Sequence, residues 1–122
     1  MGSDLTIKGP VDHEGVSLVQ IFGRLSAEGA VTLREYCGGY RAVHKAPLLI
    51  DCAEVTFVAS SGVGTLLLLT EAFSESDRQI VFYNLSDVVK QVIDCLNLHE
   101  FLCIGSDRSN ALSLITTTQE PS

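Results

Sequence analysis

The stretches "LLID" (Leu48–Asp51) and "QIVFYN" (Gln79–Asn84) constrain this chain most. Each is short and almost wholly apolar, the pattern of a strand covered on both faces. Such strands belong inside parallel sheets, and parallel neighbours need crossovers, usually helices. The flanking segments read that way. Ser26 can cap a helix with Glu28 in its first turn, and Ala30, Leu33, Cys37, Tyr40 and His44 share one face. Gly38 and Gly39 weaken that helix by about 1 kcal/mol each relative to alanine and imply a bend or a close neighbour. Pro47 ends the segment. A turn containing Val55, Phe57 and Val58 leads to Ser60. A helix over Ser61–Ser74 follows, whose Val63, Leu66–Leu69 and Phe73 leave little polar face, so it is expected to be largely buried.

Upstream, Leu5–Val11 and Val16–Phe22 are β-rich runs separated by "DHEG" (Asp12–Gly15), a hairpin turn. Downstream, Ser86 caps a helix carrying Val88, Val89, Val92, Ile93 and Leu96, and Asn97 supplies a left-handed end. "FLCIG" (Phe101–Gly105) reads as a short strand. Ser106 opens a last helix through Ala111, Leu112 and Ile115, and the tail after Thr116 reads as frayed. The predicted order is β-β-α-β-α-β-α-β-α. That is an α/β fold with a mixed, mostly parallel sheet and about four helices. Length allows one domain, 1–122, with an ordered core of about residues 4–116.

Charge excludes some functions. Eight basic residues against fifteen acidic ones give a net charge of −7, with no basic run to follow a phosphate backbone. Nucleic-acid binding is not expected, and an acidic surface suggests solubility or a partner with a positive face. The four cysteines form no C-x-x-C pair and lie in apolar contexts, so they read as reduced buried thiols. The three histidines lack metal-ligand spacing, so neither a metal nor a cofactor is expected. The N-terminus has no signal-peptide pattern, and no run is long enough to span a bilayer. The expectation is a cytoplasmic protein without membrane insertion.

"ASSGVG" (Ala59–Gly64) is the candidate site. A hydrolase elbow would need glycine two residues before the serine, but Val58 precedes Ser60 and Ala59 precedes Ser61. A phosphate cradle would need G-x-x-x-x-G-K-[ST] or G-x-G-x-x-G, and no lysine is near. In structural terms Ser60 or Ser61 caps the helix, and Gly62 and Gly64 allow close packing.

"LLIDCAEVTFVASSGVGTLLLL" resembles the signature of the STAS family, the anti-sigma factor antagonists. Members show an aspartate ending a strand, then D-S-S-G-L-G and an apolar helix. Asp51 matches the first aspartate, and Ser60, Ser61, Gly62 and Gly64 match the second block. "FGRLSAEGAVTL" is similar to the family's entry into its first helix, with Ser26 where aspartate is usual. "VVKQVIDCLNLHEFLCIGSDRSNAL" resembles the third helix, last strand and last helix. The resemblance implies a non-enzymatic switch that binds an anti-sigma factor acting as a serine kinase. It makes Ser60 the phosphate acceptor, with Ser26, Ala59, Ser61, Gly62 and Gly64 on the binding face. Ala59 stands where the family has aspartate. The alternatives are a constitutive STAS adaptor of a transporter or signalling assembly, or a small ligand-binding domain. Oligomeric state is not fixed by the sequence.

Overall fold

Glu14 and Gly15 adopt positive φ of 54° and 87°. Two such residues make the turn that matches the right-handed twist of paired strands. They fold β1 (Leu5–His13) back antiparallel on β2 (Val16–Leu25). The computed structural model describes residues 4–118, with side chains through Ile115. The remaining elements are α1 (Ala27–Val43), β3 (Leu48–Val58), α2 (Ser60–Glu75), β4 (Ile80–Tyr83), α3 (Asp87–Cys95), β5 (Ile104–Gly105) and α4 (Arg108–Thr118). The strands form one sheet in the order β1-β2-β3-β4-β5, parallel from β2 onward. The fold is the α/β mixed sheet with four helices that the sequence implies.

Each parallel strand lies next to its predecessor, so right-handed crossovers put α1, α2 and α3 on one face. Leu33 and Cys37, Leu66, Leu69 and Phe73, and Val89 and Ile93 meet Leu48, Ile50, Ile80 and Phe82 there. On the other face Ala111 and Ile115 of α4 pack on Leu18, Leu49, Val81 and Tyr83. Successive strand residues point to opposite faces. This is why "LLI" and "IVFY" are apolar throughout.

Several local expectations are corrected. Val55–Val58 is strand rather than turn, because β2 extends to Leu25 and pairs with β3 as far as Val58. The end strand shrinks from Phe101–Gly105 to Ile104–Gly105, with Phe101 and Leu102 in a turn bonded to the Leu98 carbonyl. Asp107, not Ser106, caps α4, its carboxylate accepting from Asn110 N at 2.9 Å. Helix α1 ends at Val43, so His44 lies outside it and stacks on Tyr40. A Cβ added at Gly38 or Gly39 would meet nothing within 4 Å, so no close neighbour requires these glycines. Ser26, Ser86 and Asn97 take their expected roles as two caps and a left-handed end. Helix α4 runs to Thr118, two residues past the expected start of the frayed tail at Thr116, and residues 119–122 lie outside the described residues.

The cysteines divide. Cys37 and Cys52 are buried, Cys103 is half-buried and Cys95 is exposed, which corrects the expectation of uniform burial. Burial pushes the Cys37 thiol from 9.0 up to about 12, with nearby Arg41 opposing the rise. It pushes Cys52 up further, with Asp51 adding to the rise. In the unfolded chain both thiols ionise near 9, while the folded ones keep their protons. Above that pH the unfolded state holds fewer protons, so stability falls as pH rises. The expected loss is about 1.4 kcal/mol per thiol per pH unit from about pH 9 toward 12, with no contribution below. Urea melts at pH 8 and pH 10 measure it.

Candidate functional site

The chain leaves β3 at Val58 and enters α2 at Ser60. What fixes this turn is the end of β2. Leu25 pairs with Val58, and its carbonyl accepts the Ala59 N–H at 3.0 Å. The same carbonyl explains Gly62: a Cβ there would stand 2.5 Å from Leu25 O and 2.8 Å from Leu25 Cγ. Gly62 is buried because only glycine lets the helix approach the strand so closely. Gly64 differs, since a Cβ on it would meet nothing within 4 Å. It lies on the exposed face of the helix. One of the two glycines is a packing residue and the other is surface.

Neither serine caps the helix. The N-cap is Ala59, at φ −93° and ψ 170°, with no side-chain cap. Its carbonyl accepts from Gly62 N at 2.9 Å and Val63 N at 3.1 Å. Ser60 and Ser61 fall inside the first turn and both are exposed. Among the described residues no side chain hydrogen-bonds the Ser60 hydroxyl. The first turn of α2 also carries no acidic residue. A helix N-terminus has unsatisfied amides and a partial positive charge, so this hydroxyl stands where an added anion is favoured.

The α2 surface corrects the expectation of a largely buried helix. Gly62, Thr65, Leu66, Leu69 and Phe73 are buried. Gly64, Leu68, Glu71, Ser74 and Glu75 continue outward from Ser60 along the exposed side. Leu68 is 50% exposed.

Ser26 lies one residue beyond Leu25 and so flanks the same strand end. Its hydroxyl accepts from Gly29 N at 3.2 Å and donates to Asp4 Oδ2 at 2.5 Å. It thus caps α1 and ties the residue just before β1 to that cap. Arg24 lies 3.9 Å from Asp4 and 4.2 Å above the Phe57 ring. This cluster of Asp4, Arg24 and Phe57 escaped sequence reasoning, because Phe57 was assigned to a turn. The aromatic-basic composition of the two strand ends was the only available signal.

Asp51 is not part of this site. It points with Leu49 toward the α4 face, is 9% exposed, and accepts Ala53 N at 3.0 Å. Asn84 Nδ2 stands 3.4 Å from its other oxygen. His99 pairs with Asp94 at 2.6 Å on the outer side of α3. Among the described residues no group of three or more His, Cys, Asp or Glu could hold a metal ion. Likewise, no helix is long and apolar enough to cross a membrane.

The uncapped start of α2 gives a direct prediction. Ala59 already has N-cap geometry, so Ala59→Asp should supply the missing acceptor without moving the backbone. The expected gain is about 0.5–2 kcal/mol, read as a rise in the urea midpoint at unchanged slope.

Comparison with known proteins places this geometry. No curated protein matches the chain by sequence. An anti-sigma factor antagonist from Mycobacterium paratuberculosis superposes with a TM-score of 0.80 at 22% identity, over 92% of this chain and 94% of that one. A serine-to-glutamate variant of RsbS from Moorella thermoacetica gives 0.74 at 13% identity, over 96% and 98%. The Bacillus cell fate determinant SpoIIAA in its phosphorylated form gives 0.64 at 14%, over 91% and 98%. At such identities the likeness establishes the fold. A family model for the STAS domain matches residues 10–111, which include the whole β3–α2 turn and its strand partners, and the chain belongs to the STAS domain family.

Proposed function

We propose that this chain is an anti-sigma factor antagonist, a binding protein rather than an enzyme. In this reading it engages a cytoplasmic anti-sigma factor that is also a serine kinase, and phosphorylation of Ser60 ends the complex. The observation that carries the reading is the Ser60 hydroxyl: exposed, not used as a cap, and set at a helix start that has neither an acidic residue nor a side-chain acceptor. A kinase can reach it, and the fold has no structural use for it. That similar folds include anti-sigma factor antagonists, SpoIIAA among them and known in a phosphorylated form, supports the same reading.

The contact face then comprises Ser60, Ser61 and Gly64, with Ala59 and Ser26 at its edge. Gly62 acts from beneath by holding α2 against Leu25. A second reading rests on Ala59, which puts a methyl group before the acceptor where the family resemblance has a carboxylate. It makes the domain a constitutive adaptor that binds through the same face without modification. Capture of the partner on the immobilised domain, followed by ATP and phosphate mapping, separates the two. Phosphate on Ser60 supports the switch. A confirmed partner that leaves every serine unmodified supports the adaptor.

A further inference from the structure

The exposed side of α2 runs on from Ser60 into a groove that the switch reading does not use. Its far wall is the turn after α3. Leu98 and Leu102 anchor that turn, 8% and 5% exposed, and Phe101 and Leu102 donate their N–H groups to the Leu98 carbonyl. Between the two anchors Phe101 is held outward at 62% exposure. The groove encloses about 490 Å³, lined by Leu67, Thr70, Glu71, Ser74, Glu75 and Phe101. From Leu67 to Glu75 it spans about 12 Å of helix, roughly two turns. Leu67 on α2 and Phe101 on the facing turn supply the apolar surface, Thr70 and Ser74 add hydroxyls, Glu71 and Glu75 add two carboxylates, and no cation lines the groove.

We infer that this groove is a docking site for a basic amphipathic helix of a partner protein. Such a helix places apolar anchors at i and i+3 or i+4, which suits a two-turn groove between Leu67 and Phe101. Lysines or arginines flanking those anchors would meet Glu71 and Glu75. The charges argue against other occupants. A second copy carries the same net charge of −7, and in a two-fold contact it would set the same two glutamates against these. An anionic lipid surface would be repelled by them. The groove starts about 10 Å along α2 from Ser60 and is centred about 16 Å from it, and none of its lining residues belongs to the Ser60 turn, so it is a separate site from the proposed switch.

The probe is a helical peptide of leucine and lysine at amphipathic spacing, with a glutamate-for-lysine version as control. Each is titrated into the isotope-labelled domain while backbone amide shifts are followed. The lysine peptide is expected to shift Leu67, Glu71, Glu75 and Phe101 and their neighbours, and the glutamate peptide is not. Phe101→Ser and the double variant Glu71→Lys, Glu75→Lys should each weaken binding about tenfold or more. Phe101 is mostly solvated, so its variant should fold, and a thermal melt checks this. Ser60→Asp should leave peptide affinity unchanged, which keeps this test separate from the switch. Unchanged affinity in Phe101→Ser, equal binding of both peptides, or no binding of the lysine peptide would each overturn the inference. So would self-association that Phe101→Ser abolishes, which would assign the groove to a second copy.

Discussion

Gly62→Ala is expected to destabilise the domain by about 1–3 kcal/mol, while Gly64→Ala, two residues on, costs nothing. The added Cβ at Gly62 meets a backbone oxygen at 2.5 Å and the Leu25 side chain at 2.8 Å. That oxygen already accepts the Ala59 N–H, so it cannot retreat without losing the bond that sets the start of α2. The melting temperature should drop by roughly 3–5 °C per kcal/mol in a chain of this size. At Gly64 the Cβ enters open space, and replacing a helical glycine should gain about 0.5–1 kcal/mol. Gly64→Arg should likewise fold, yet it would place a long cation on the proposed contact face. Its thermal melt should stay near that of the parent while partner affinity falls. Equal losses in both would make Gly64 a structural residue and remove it from the face.

Ser60→Asp is expected to weaken the partner complex about tenfold to a hundredfold, with Ser60→Ala close to the parent. A phosphate carries about −1.5 to −2 charges and three acceptor oxygens. Inside the domain that charge is welcome, since the first turn of α2 has no acidic residue and no side-chain cap. The helix dipole favours it by about 0.3–1 kcal/mol. Across the interface the partner must desolvate the charge or face it with groups chosen for a neutral hydroxyl. A loss of about 1.4 kcal/mol is already tenfold. Affinity and stability should therefore move in opposite directions: binding drops while the melting temperature holds or rises by a few degrees. A merely disrupted helix start would lower both.

The sheet was legible because its signal is redundant. Leu48–Ile50 and Ile80–Tyr83 are apolar at every position, and only a doubly covered strand requires that. The Ser26 and Ser86 caps were equally readable, since side-chain capping is local chemistry. Val55–Val58 failed as a strand because its pairing depends on how far β2 extends, a non-local fact. The α2 start failed for a related reason. Two serines beside an alanine read as caps, but the Leu25 carbonyl holds Ala59 and moves the boundary one residue earlier. That shift leaves the Ser60 hydroxyl outside the cap, so the error fell on the proposed acceptor. The unlike surroundings of Gly62 and Gly64 were invisible too, since both are simply glycine in sequence. Phe101 was placed in a strand, which hid its exposed position.

The central claim is that Ser60 is acted upon and that its modification ends partner binding. The most direct measurement is calorimetric titration of the purified partner kinase with the unmodified domain and with the domain it has phosphorylated, the modified site fixed by mass spectrometry. The account predicts a single phosphate, on Ser60, a loss of affinity of about tenfold or more, and a melting temperature that does not fall. Equal affinity for the two forms, or phosphate on Ser61 alone, would contradict it.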